Sequence, residues 1–197
     1  KTVLIAQLTN SVGLILPPGN CVTYTNAFSG LQADIVATYR RGSFECDLVL
    51  RERPLSPAEY GLDPASTRLQ LLTEFYDTAD PAVKPAKPSR ADGLTDATLD
   101  FGALKLGPGR AFSVGASSKS GEAAGKLTRG RGMPVYKSWE KPYDSESKSY
   151  RTFLVEEVRY RRIKEQLNLL SAANVSGRWF ASHTDGTGAR GMGKLLP

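Results

Sequence analysis

The chain has 197 residues, of which 40% are hydrophobic and 23% charged; these values match globular averages and exclude a wholly disordered protein. Its longest apolar runs span only a few residues, as at 3–6, far short of the roughly 20 needed to cross a bilayer as a helix. The net charge of +6 is uneven: residues 1–104 hold nine Lys/Arg against twelve Asp/Glu, and residues 105–164 hold fourteen against six.

From the N-terminus, which begins at Lys1 and so reads as a processed export product or a piece of a longer chain, residues 2–8 and 12–16 have strand character. Pro17-Pro18-Gly19-Asn20 stops them, because proline cannot donate to a ladder and Gly-Asn suits a turn. Residues 31–51 carry the clearest signal. Ala33, Ile35 and Ala37 alternate with Asp34, Val36 and Thr38; Phe44, Cys46, Leu48 and Leu50 alternate with Glu45, Asp47, Val49 and Arg51. This period of two predicts an antiparallel hairpin turning at Arg40-Arg41-Gly42, with Ile35, Phe44, Cys46 and Leu48 buried. Residues 56–62 predict one helical turn from a serine cap to a closing glycine. Residues 67–75 predict a strand with Leu69, Leu71, Thr73 and Phe75 on one face.

Residues 77–92, with Pro81, Pro85 and Pro88 and almost no large apolar side chain, read as a loop. Residues 98–106 and 110–114 read as strands joined through Gly107-Pro108-Gly109, and residues 115–132 as a Gly/Ser-rich loop. Strand character resumes at 134–139 and 150–160. Ile163, Leu167 and Leu170 at i, i+4 and i+7 predict an amphipathic helix over 161–171. The fold expected is therefore all-β or β-rich, an antiparallel sandwich with one short helix near its C-terminal side. Residues 1–176 read as one domain and residues 177–197 as a flexible glycine-rich tail. That tail carries Trp179, Phe180, Leu195 and Leu196, more apolar mass than a purely solvated segment needs, so it is expected to dock on its own sheet or on a neighbouring subunit.

Catalytic patterns are absent. His183 is the sole histidine, which excludes two-histidine metal motifs, and no nucleophile elbow accompanies Ser182 and Asp185. Asp34, Glu45 and Asp47 fall on the polar positions of the hairpin, as a solvent face demands. Adjacent Glu156 and Glu157 point to opposite faces of a strand. No phosphate-cradling glycine motif, metal site or cofactor site is legible. Cys21 and Cys46 read either as one disulfide of an exported chain, with Cα atoms within about 7 Å, or as two buried small hydrophobes. Asn174-Val175-Ser176 fits a glycosylation sequon.

Two basic clusters remain. Arg129 and Arg131 are followed by Tyr136 and Trp139; Arg159, Arg161, Arg162 and Lys164 surround Tyr160. Cations interleaved with aromatics suit a nucleic acid or an acidic polysaccharide, with charge for the backbone and rings for bases. Set against this is a charged surface with its aromatics in the core.

Residues 28–35, 42–54, 60–62 and 67–70, followed by Phe101-Gly102-Ala103, 108–112, Pro134-Val135-Tyr136-Lys137-Ser138-Trp139 and 151–158, form a longer pattern. This order resembles a β-rich module near the front of large exported proteins of environmental bacteria, a module without known catalytic residues, and the likeness covers roughly 3–170. The resemblance implies export and an extracellular or cell-surface structural role. The function expected is a non-catalytic structural or adhesive module, with a protein partner or a second copy as its target. The alternative is a polyanion-binding module using Arg129, Arg131, Arg159, Arg161, Arg162 and Lys164.

Overall fold

A computed structural model of the chain describes residues 1–85, 93–112 and 132–172. They form two compact units, one of residues 1–62 with residues 164–172, the other of the described residues between 63 and 163; the sequence pattern alone reads as one domain over 1–176.

In the first unit, β1 (Gln7–Leu8), β2 (Gly13–Leu16), β3 (Cys21–Tyr24), β4 (Phe28–Ser29), β5 (Ala33–Arg40) and β6 (Ser43–Leu50) follow in order. β1 pairs with β4, and the larger sheet runs β2-β3-β5-β6. Of the strand expected over 2–8, only β1 enters a ladder. The predicted hairpin is present: Arg40 pairs with Ser43, leaving Arg41-Gly42 as a two-residue loop in which Gly42 has φ 93°. A β-carbon would be strained there, and the positive φ lets the turn match the twist of its arms. At the other end of the hairpin, the Asp34 carboxylate accepts from the Asn26 amide (2.9 Å) and Arg51 Nε (2.7 Å). The buried Glu52 carboxylate accepts from the Gln32 amide at 2.6 Å. The helical turn forms as a 3₁₀ segment, Pro57–Tyr60, with the Glu59 side chain accepting from the Ser56 amide and Gly61 left-handed at φ 66°. Arg53 then forms a parallel bridge to Ala172, its amide donating to Ser171 O at 2.8 Å.

The second unit holds β7 (Arg68–Phe75), β8 (Ala82–Pro85), β9 (Ala97–Asp100), β10 (Lys105–Leu106), β11 (Gly109–Ala111), β12 (Met133–Glu140), β13 (Tyr143–Asp144), β14 (Ser149–Tyr150) and β15 (Thr152–Arg159). Its sheets run β10-β9-β8 and β11-β12-β15-β7, with β13-β14 a separate hairpin. Ala97 and Leu99 of β9 pack with Leu154 of β15 and, around them, Phe75, Phe101, Leu106 and Trp139. Trp139 meets Phe75 and Phe101 edge-on at 5.1 and 5.4 Å, the geometry in which aromatic quadrupoles attract. Two sheets thus share one core, as in a sandwich.

Two expectations are corrected here. Residues 82–85, read as loop, form β8, because an edge strand tolerates the proline that a central one excludes. Gly107-Pro108-Gly109 is not a hairpin turn but carries the chain from one sheet to the other. The turn lies earlier, at residues 101–104, where Gly102 (φ 85°) donates its amide to Asp100 Oδ1 and the Phe101 amide donates to Leu104 O. Helix α1 (Tyr160–Leu167) is shorter than the predicted 161–171 and buries Tyr160, Ile163 and Leu167 as its period requires. Every strand ladder among the described residues is antiparallel. The described residues are β-rich with one short α-helix, as the sequence predicted.

Candidate interaction surface

Register assigns every side chain of the β2-β3-β5-β6 sheet to a face, because directly paired residues point the same way and neighbours along a strand point oppositely. One face carries the rows Gly13–Tyr24–Ile35–Leu48, Ile15–Val22–Ala37–Cys46, Tyr39–Phe44 and Ala33–Leu50. None of these side chains is charged. The opposite face is mixed: Leu14–Thr23–Val36–Asp47, Leu16–Cys21–Thr38–Glu45, Asp34–Val49 and Arg40–Ser43. The Tyr24 ring lies over Gly13, where a Cβ would stand 2.8 Å from it.

The apolar face is open. Ile15 is 66% exposed, Tyr39 65% and Phe44 57%, and of its residues only Ala33 is buried. This corrects the expected burial of Ile35, Phe44, Cys46 and Leu48: Phe44 and Cys46 are exposed, Ile35 and Leu48 half-buried. Alternation reports which side chains share a face; it does not report whether anything covers that face.

The two cysteines are not joined. Cys21 lies opposite Thr38 and Cys46 opposite Ala37, so β5 stands between them and they project from opposite faces. Two strand spacings make about 10 Å, beyond the reach of a disulfide. Nor are they a buried pair, for Cys46 is exposed.

The carboxylates considered for catalysis have structural partners: Asp34 holds the Asn26 amide and Arg51, and Glu45 pairs with Arg40 at 2.8 Å. Asp47 lies on the same mixed face. Of the basic residues, Arg159 donates to Ser66 O at 3.0 Å, while Arg161, Arg162 and Lys164 are exposed on α1. The aromatics that would stack bases are not presented: Tyr136 and Tyr160 are buried and Trp139 packs into the core cluster. Arg129, Arg131, the sequon at Asn174, His183 and the docking candidates Trp179, Phe180, Leu195 and Leu196 lie outside the described residues.

Sequence reasoning missed two charged clusters in the second unit. Lys137, its side chain 2% exposed, places Nζ 2.8 Å from Asp96 Oδ1, which also accepts from the amides of Ala97 and Lys137. Glu156 is the cross-strand neighbour of Lys137. Burial pushes its carboxyl above the usual range, Lys137 partly opposes this, and Asp96 adds to it. The second cluster is a two-point fork, Arg151 Nε and Nη2 on Glu74 Oε1 and Oε2 at 2.7 and 2.6 Å. That hydrogen bonding holds the Glu74 carboxyl below its usual range. The partners are 41 and 77 residues apart, and no local pattern announces them. Among the described residues no His/Cys/Asp/Glu group has metal-site geometry.

Compared with known protein families, curated proteins and solved structures, the chain matches none.

Proposed function

We propose that this chain is a non-catalytic structural or adhesive module of an exported protein, acting outside the cell or at its surface through the apolar face of the β2-β3-β5-β6 sheet. One observation carries the reading. A four-stranded sheet presents a face without a charge, and Ile15, Tyr39 and Phe44 on it each expose more than half their surface. Contiguous exposed apolar surface is what interaction sites look like. Covering those three side chains would contribute about 1–2 kcal/mol each, which after the cost of association suits reversible contact. A second copy offers a face of the same character, and two such faces can stack as sheets do in a sandwich. The engagement of Asp34 and Glu45 by arginines supports a non-catalytic role. Export rests on the sequence resemblance, and no helix among the described residues is long and apolar enough to cross a membrane.

Sedimentation velocity of the full chain at rising concentration tests the reading. The expected result is reversible association that Ile15→Ser with Phe44→Ser weakens at least tenfold while the monomer stays folded. A chain that remains monomeric at millimolar concentration, or whose association ignores those substitutions, overturns it.

A further inference from the structure

We infer that Lys137 and Asp96 are the precursors of an intramolecular amide: ammonium and carboxylate condense with loss of one water into a side-chain cross-link inside the second unit, and Glu156 carries the protons. The inference is independent of the open sheet face.

Three observations place the reactants. Lys137 Nζ stands 2.8 Å from Asp96 Oδ1. Adding one C–O bond puts Cγ within about 4 Å of that nitrogen, close to the spacing of a near-attack arrangement. The same Oδ1 accepts from the amides of Ala97 at 2.9 Å and Lys137 at 3.0 Å, two fixed donors aimed at the oxygen that gains negative charge when Cγ is attacked. Glu156 is paired directly with Lys137 on one side and Leu71 on the other, and paired residues project to the same side of a sheet.

The surroundings favour condensation. Two residues along each strand, on the same side, stand Trp139 and Leu154, which pack with Ala97 and Leu99. The Lys137 side chain is 2% exposed. In water an ammonium and a carboxylate are more stable than their amide; burial strips away the hydration that makes them so. Condensation replaces two buried charges by one neutral amide and returns a water to solvent. Burial also raises the Glu156 carboxyl, opposed by Lys137 and aided by Asp96, which suits a group that must take up a proton and give it back.

The step balances. Glu156 takes a proton from Nζ, and the freed lone pair attacks Asp96 Cγ. The C–N bond forms as a C=O electron pair moves onto Oδ1. Glu156 passes that proton, and then a second from Nζ, to Oδ2. The C–Oδ2 bond breaks, water leaves, and Glu156 ends as it began. One hydrogen stays on the amide nitrogen, and nothing is oxidised or reduced.

The newly folded chain is the ion pair. Glu156→Gln relieves a buried carboxyl, so it keeps that form folded while removing the proton carrier. Mass spectrometry of the full chain, denatured after incubation at neutral pH, reads the reaction. The parent should be lighter than its sequence by one water, and its tryptic digest should contain a branched peptide joining Asp96 to Lys137. Lys137→Arg, which keeps the charge without a competent nucleophile, should retain the full mass. Glu156→Gln should lose water about a hundredfold more slowly with an unchanged circular dichroism spectrum. A parent of full mass overturns the inference, as does a loss of water without the branch, which marks a cyclised aspartate. A folded Glu156→Gln chain that condenses at the parent's rate overturns it too, since the proton carrier is then not Glu156.

Discussion

Asp96→Asn is the sharpest probe of how the second unit is held together. One oxygen of Asp96 serves the amides of Ala97 and Lys137 and the buried Lys137 ammonium at once. The Asn side-chain carbonyl can still accept from the two amides, so the substitution removes charge more than geometry. Stripping one partner from a buried ion pair costs about 3–5 kcal/mol, because the other charge is left in low dielectric. Here the Asp96 side chain keeps 18% exposure and Glu156 still faces Lys137 across the strand pair, which lowers the expectation to roughly 2–3 kcal/mol. For a folding unit of this size that is a fall in midpoint of roughly 10–20 °C. The companion effect is a change of sign. In the parent, Glu156 is held against its charge by burial, so Glu156→Gln is neutral or stabilising at neutral pH. In the Asp96→Asn background Glu156 is the remaining counter-charge of Lys137, and the same substitution becomes costly. Urea denaturation at pH 7 of the parent, both single variants and the double variant closes the cycle. A loss under about 0.5 kcal/mol from Asp96→Asn, within the range of ordinary surface substitutions, or an equal effect of Glu156→Gln in both backgrounds, would refute the reasoning.

Glu156 also sets a pH dependence. Its folded pKa lies above the unfolded one, so the stability it contributes is complete below the ordinary carboxyl range and is lost as pH rises through the raised value; Glu156→Gln should flatten that fall in thermal melts between pH 4 and 8. Glu74 acts in the opposite sense: its folded pKa is depressed by Arg151, so its contribution is present above the ordinary range and lost as pH falls through the lowered value. Glu74→Gln should cost about 1–2 kcal/mol at pH 7, discounted for partial exposure, and progressively less as the pH falls through the lowered value; a cost that does not change with acidification would contradict the fork. Alkylation of the unreduced, denatured chain should modify both Cys21 and Cys46, and an unmodified pair would mean that a disulfide had formed across β5.

Period-two alternation made the hairpin of β5 and β6 legible before any coordinates, down to the glycine that its two-residue turn needs. It also placed Leu69, Leu71, Thr73 and Phe75 on one face of β7, as the ladder with β15 has them. What alternation could not carry was coverage: Phe44 and Ala33 share one face, yet one is exposed and the other buried, a difference set by what lies above them. The same limit applies to Tyr136, Trp139 and Tyr160, whose neighbours in sequence are cations but whose rings pack inward. The Asp96–Lys137–Glu156 cluster was invisible because its members come from separate segments of the chain, and Lys137 reads as an ordinary polar strand residue. Proline misled in the other direction, since Pro85 suggested loop where an edge strand accommodates it.

Sedimentation equilibrium of two chains side by side tests the account most directly: the parent and the variant with Ile15 and Phe44 replaced by Ser. An apolar sheet face that engages a second copy predicts an association constant at least tenfold weaker for the variant than for the parent. Indistinguishable constants, or a parent that does not associate, would contradict it.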